Sequence, residues 1–262
     1  MILRALFTIF FLVITFPLWC FYIGNPSSPA LFTKSVLQTS ENWWQLHTGY
    51  VYDKMYKGRF KERVVTEDSD PTFATSDTQA ALLSLNLFNH WEIYGVVGGT
   101  KMTFDKQIYS HRRTSWSTGT KILIYRLNNL YFGLDGKYFY TDQKPDYILS
   151  DGDVYTLITP LTMRYQEFQG SFGIAYNDYR LFSPYLGFTY LFSQIDPYPK
   201  TVILKEPKTD DIIIFDLKES DGKKTWGFYL GTTIVTTGQI NINLEARFFD
   251  QNAFNVSGAF RF

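Results

Sequence analysis

The sequence predicts an all-β fold: a transmembrane antiparallel β-barrel of about 12 to 14 strands behind a cleaved N-terminal signal peptide. Three observations carry this. The chain opens on an apolar run with an early cation, no later stretch approaches the length of a spanning helix, and segment after segment of the remainder alternates apolar with polar residues.

Residues 1–23, MILRALFTIFFLVITFPLWCFYI, place Arg4 ahead of an apolar run broken by Pro17. That is the layout of a secretory signal, whereas a retained anchor needs roughly 20 unbroken apolar residues. Cleavage is expected near Cys20, which divides the chain into a signal peptide over 1–20 and a barrel over 21–262, with 21–44 a periplasmic or lumen-facing N-terminal segment. The bulk of Trp19 argues against a lipid anchor on Cys20. Cys20 is the sole cysteine, so the mature part is expected to hold no disulfide and no thiolate nucleophile.

Composition narrows the class further. Phe, Tyr and Trp number 24, 19 and 6 in 262 residues, more than one globular core uses, and Tyr and Trp suit the wet edges of a lipid layer. Lys plus Arg balances Asp plus Glu at 25 each, so no basic surplus exists to neutralise phosphates, and nucleic acid is not an expected partner. An exported chain with these aromatics and no spanning helix enters a membrane by closing a sheet.

The alternation is clearest towards the C-terminus. Phe254, Val256, Gly258, Phe260 and Phe262 share one face and Asn255, Ser257, Ala259 and Arg261 the other; Ile240, Ile242, Leu244, Ala246 and Phe248 oppose Asn241, Asn243, Glu245 and Arg247. Slipping the register by one would put Arg247 and Arg261 into lipid at roughly 2–4 kcal/mol each near the midplane. Further back, Phe168, Gly170, Phe172, Ile174 and Tyr176 form a face, as do Leu186, Phe188, Tyr190 and Phe192. A soluble sandwich would show the same alternation; the export signal, the aromatic excess and a final strand ending on Phe260 and Phe262 favour the barrel. Phe260 and Phe262 resemble the insertion signal of outer-membrane barrels, which makes membrane lipid and the outer-membrane insertion machinery expected partners and the bacterial outer membrane the expected location.

Strands are expected at 45–57, 77–88, 91–103, 115–127, 130–141, 167–178, 184–194, 201–206, 211–218, 224–236, 239–249 and 254–262, with periplasmic turns near Asn89, at Asn128 and Asn129, near Leu181, and at Thr237 and Gly238. DVYTLITPL, within 142–166, is either loop or half of a further pair, which leaves the count at 12 or 14. The polar stretches 61–76, 104–114 and 142–152 read as outward loops.

Several segments resemble the chlamydial major outer membrane protein family of porins. FYIGNPSSPALF carries the Gly24-Asn25-Pro26 and Pro29 spacing found there after the signal peptide, and TGYVYDK at 48–54 is similar to the first strand. Residues 81–100 and 168–190 resemble later hairpins, and GFYLGTTIVTTGQININLEARFFDQNAFNVSGAFRF at 227–262 is the best match. The resemblance implies a trimeric porin passing small solutes. The chain is much shorter than the main members, and its mature part lacks the cysteines that crosslink them.

Catalytic chemistry is not suggested. His47, His90 and His111 each stand alone, so neither a zinc triad nor a nucleophile paired with a base is visible. Glu67, Asp68 and Asp70, and Asp151 and Asp153, lack the ligand spacing of a calcium loop and read as solvated loop charge. No cofactor and no enzymatic activity are expected. The polar faces make a diffusion channel for small hydrophilic solutes the leading reading, lined by Lys121, Asp135, Lys137, Asp216, Lys218, Glu245, Arg247 and Arg261, with at most a weak preference for anions. The alternative is a non-conducting surface barrel whose outward loops bind a host or partner molecule.

Overall fold

The computed structural model describes residues 24–26, 28–30, 43–62, 72–105, 107–150, 153–177, 182–206, 211–223, 225–236 and 240–261. The signal peptide, Cys20, Phe262, the acidic group at Glu67, Asp68 and Asp70, and Asp151 lie outside these residues. A 3-10 turn at Ser28–Ala30 precedes sixteen strands: β1 (Trp44–Glu62), β2 (Thr72–Leu87), β3 (Trp91–Phe104), β4 (Ile108–Ser110), β5 (Arg113–Leu127), β6 (Leu130–Gln143), β7 (Pro145–Ser150), β8 (Asp153–Leu157), β9 (Thr162–Tyr176), β10 (Phe182–Tyr198), β11 (Thr201–Lys205), β12 (Ile212–Asp216), β13 (Ser220–Gly222), β14 (Trp226–Thr236), β15 (Ile240–Phe248) and β16 (Gln251–Arg261).

Ten of these close a barrel. β1, β2, β3, β5, β6, β9, β10, β14, β15 and β16 pair antiparallel in that order, and β16 returns to β1 from His47↔Arg261 to Gly58↔Gln251. The expectation of 12 to 14 spanning strands is therefore corrected to ten. Residues 201–206 and 211–218 do not cross the bilayer: they form the β11–β12 hairpin in a loop, and five-residue strands reach only roughly 17 Å. DVYTLITPL follows its loop alternative, with β8 pairing β7 beyond the barrel rim.

Every connection at one rim is short and all the long ones lie at the other, which sets the periplasmic and outward ends. At the periplasmic rim Phe88 and Asn89 both adopt φ 54° between Leu87 and His90, a turn that follows the strand twist. Asn tolerates that geometry; Phe88 is held in it by stacking on Trp43 at 5.6 Å and by its N–H donating to the Trp43 carbonyl. In β1 a bulge between Met55 and Gly58 adds a residue, so that Gly58 and Phe60 continue the inward face.

Outside the barrel the side chains are those of a lipid contact. Leu83, Ile93, Val97, Ile122, Leu134, Phe172, Leu186, Phe188 and Leu230 are exposed in a band. Trp91, Tyr125, Tyr176 and Phe182 border it near the periplasmic rim, and Trp116 with Tyr138 and Tyr140, and Tyr190 with Trp226, border it towards the outside. The cross-strand pair Gly136 and Gly170 leaves an apolar groove of about 420 Å³ in this band, between Ile122, Leu134, Phe172 and Phe188.

Inside, three buried tyrosines lean on glycines. The ring of Tyr94 fills the place of a Cβ at Gly119, that of Tyr185 the place at Gly231, and the Tyr229 hydroxyl the places at Gly173 and Gly187. These glycines are needed for close approach. The outward half of the interior is an apolar core, in which Met55, Phe60, Met102, Phe104, Phe139, Met163, Tyr165 and Ile195 of the barrel meet Ile108, Ile148, Val202 and Leu204 of the loop strands.

Candidate functional site: a filled lumen beneath an outward sheet

The inward face of each strand carries the polar half of its alternation, and closure brings those halves together. Asp53, Glu92, Asp135, Glu167 and Glu245 are buried with Lys121, Lys137, Arg247 and Arg261. The interior thus carries slightly more acid than base, which corrects the expected basic excess.

These groups fall into pairs because closure sets them side by side, on adjacent strands for Lys137 and Glu167 and across the single strand β16 for Asp53 and Arg247. Lys137 Nζ lies 2.8 Å from Glu167 Oε1, and the Tyr165 hydroxyl donates to Glu167 Oε2 at 2.7 Å. Arg247 binds Asp53 through Nη2 and approaches Glu245 Oε1 at 3.8 Å from Nε. Asn255 Nδ2 adds a donor to Asp53 at 3.2 Å, and the Tyr185 hydroxyl one to Glu245 at 3.2 Å. Lys121 and Asp135 are direct cross-strand partners, with the Tyr94 hydroxyl donating to Asp135 at 2.8 Å and Lys121 Nζ 5.5 Å from the Tyr94 ring centre. Charges so buried are tolerated only when paired and hydrogen-bonded.

Of the residues singled out in the sequence, Lys121, Asp135, Lys137, Glu245, Arg247 and Arg261 point inward. Arg261 stands apart from the network, opposite His47 at the periplasmic end of β1. Asp216 and Lys218 do not line the lumen. Both are exposed in or beside β12, where Asp216 accepts a hydrogen bond from the Thr201 hydroxyl at 2.7 Å, because the IIIF run that looked like a lipid-facing strand belongs to an outward hairpin. Phe260 faces outward as its parity requires. Sequence reasoning missed Asp53, Glu92 and Glu167, although the same parity marks them: Glu167 opposes Phe168, and Glu92 shares a face with Tyr94.

Of the N-terminal segment, residues 24–26 and 28–30 lie inside the periplasmic half of the lumen. Asn25 Nδ2 donates to Thr233 Oγ1 at 3.2 Å, the Ser28 hydroxyl to Glu92 Oε2 at 2.7 Å, and Asn86 Nδ2 to the Pro29 carbonyl at 2.8 Å. Pro26 packs where side chains at Gly133 and Gly173 would stand. Beside Ala30 a cavity of about 490 Å³ opens at the periplasmic mouth, lined by Gln45, His90, Tyr131 and Arg261.

At the outward end, loop strands extend the barrel wall into a second sheet. β4 pairs with both β3 and β7, β7 pairs β8, β8 pairs β11 and β11 pairs β12. Ile108, Ile148, Val202 and Leu204 turn towards the barrel core, while Tyr109 and Tyr147 stack at 5.3 Å. In the outward turn between β15 and β16, Phe249 sits at φ 76° and Asp250 accepts from the Thr189 hydroxyl at 2.7 Å. Burial pushes the Asp250 carboxyl up from its ordinary range, against the lowering effect of that hydroxyl and of the Gln251 N–H. Asp250 occupies the space a Cβ at Gly227 would need.

A closed antiparallel barrel with an apolar outer band, aromatic borders and a polar interior is an outer-membrane β-barrel, and it places the protein in the bacterial outer membrane. No family model and no curated protein matches the chain. Among solved structures it is similar to the outer membrane protease OmpT from Escherichia coli, at 11% identity over 83% of this chain and 94% of that one, with a TM-score of 0.42. It is also similar to the translocator domain of the autotransporter NalP from Neisseria meningitidis (10% identity, 86% and 91% covered, TM-score 0.45). A third is the COG4313 outer membrane channel from Pseudomonas putida F1 (7% identity, 94% and 98% covered, TM-score 0.40). At these values the likenesses say nothing of activity; closure and the apolar outer band define the class.

Proposed function

We propose that this protein is a non-conducting outer-membrane barrel that acts at the cell surface through its outward loop sheet, without catalysis. The observation that carries the reading is the apolar core in the outward half of the lumen, shared between barrel strands and loop strands. Water and ions cross a barrel along polar walls; a packed apolar layer removes that path. Beneath it Lys137 and Glu167, and Arg247 and Asp53, pair with one another, and residues 24–26 and 28–30 occupy the periplasmic half. Ten strands lie near the eight whose interiors side chains fill and far from the 16 to 18 of open porins.

A diffusion channel for small solutes is the second reading, favoured by the charged middle layer and by the cavity at the periplasmic mouth. Membership of the chlamydial porin family, and a homotrimer with it, is proposed on the sequence segments alone and belongs to that second reading. Swelling of proteoliposomes in isosmotic sugar separates the two. Swelling no faster than that of empty vesicles is expected, and sugar entry proportional to the protein added would replace the first reading by the second.

A further inference from the structure

Four consecutive apolar residues, Ile212, Ile213, Ile214 and Phe215, do not alternate, and such a run is at home in a strand covered on both faces. β12 has neither face covered: Ile212 is 68% and Ile214 70% exposed, and Ile213 and Phe215 on the opposite face are exposed as well. It is also the last strand of the outward sheet. β11 pairs with it from Thr201↔Asp216 to Lys205↔Ile212, and among the described residues no strand pairs with its other edge. Proteins ordinarily blunt such an edge with lysine, proline or a bulge. Positions 212–216 contain none of these; the charges at the ends are Asp211 and Asp216, both exposed.

We infer that the free edge of β12 is a docking site for an extended segment of a partner protein, apolar in its middle and basic at both ends, which adds to the outward sheet as an antiparallel strand. The inference rests on the surface-acting reading above. Backbone hydrogen bonds supply the attachment in such strand addition, and side chains set the choice of partner. Ile212 and Ile214 on one face, and Ile213 and Phe215 on the other, meet apolar side chains of the added strand, while cations opposite Asp211 and Asp216 complete it. A second copy of this chain fits less well. Antiparallel β12 pairs centred on Ile214 set Asp216 opposite Ile212 and Asp211 opposite Leu217, so neither acid of the strand ends meets a cation; a shift of one residue sets Asp211 against Asp216 in one direction and, in the other, pairs Asp211 with Lys218 but leaves Asp216 on Ile213.

The test uses the whole protein in lipid nanodiscs and a fluorescent, end-blocked peptide, Lys-Val-Ile-Thr-Val-Lys, read by anisotropy. Saturable binding is expected, weakened about tenfold or more by Ile214→Lys, by exchanging the peptide lysines for glutamates, and by N-methylating the peptide edge that faces β12. Val154→Thr, exposed on β8 two strands away, should leave it within about twofold. No binding, or binding indifferent to N-methylation and to the sign of the flanking charges, overturns the inference; so does self-association of the nanodisc protein that Ile214→Lys abolishes. Sugar entry in the swelling assay with peptide binding intact would overturn the closed-lumen reading and leave the docking edge standing.

Discussion

Replacing Asp53 with alanine is expected to destabilise the barrel by about 3–5 kcal/mol, because the Arg247 guanidinium would remain buried without the acid it binds. Asn255 would lose an acceptor at the same time. The cost lies in the stranded charge, so Asp53→Ala combined with Arg247→Met should recover part of it, the remainder falling on Glu245, which loses its contact with Arg247 at 3.8 Å. Urea unfolding in detergent micelles, followed by tryptophan fluorescence, measures both variants beside the unaltered protein. An Asp53→Ala midpoint equal to that of the unaltered protein would mean that water reaches Arg247, which a filled lumen does not allow.

Phe139→Ala is expected to cost about 3–5 kcal/mol, for a different reason. Phe139 is fully buried in the outward core, 5.6 Å from the Tyr165 ring, and Phe60 meets the same tyrosine at 6.1 Å. Truncation leaves a cavity that strands held in a closed hydrogen-bonded wall cannot collapse to fill. Phe188 provides the contrast, since it is 59% exposed to the lipid side and lipid chains can fill the space its removal leaves. Phe188→Ala should therefore cost clearly less in the same unfolding experiment. Equal losses at the two positions would mean that Phe139 is not packed in a core.

Much of the barrel was legible because a strand in a bilayer has to alternate. The faces assigned to β9, β10, β15 and β16 are those observed, and the turns at Asn89 and Asn128 fall where an asparagine interrupts long alternating runs. The strand count was not legible. Ile212 to Phe215 satisfy the apolarity of a membrane strand without its alternation or its length, and a single sequence does not reveal that β11 beside it pairs with β8. The filled lumen was hidden for another reason. Met55 and Phe139 are apolar residues on inward parity, and the β1 bulge turns Phe60 inward against the parity that Met55 sets. Placement of residues 24–26 and 28–30 depended on Asn86, Glu92 and Thr233, partners 57 to 208 residues away that no local pattern connects to them. Likewise, parity could mark Lys121, Asp135, Lys137, Glu245 and Arg247 as inward, but whether such charges line water or bind one another depends on which strands are neighbours.

The measurement that bears most directly on a closed lumen is single-channel recording of the refolded barrel in a planar lipid bilayer, beside a variant lacking residues 24–30. The apolar outward core predicts stable insertion of both proteins without discrete current steps, since removing the N-terminal segment leaves that core in place. Reproducible steps from the unaltered protein would contradict it.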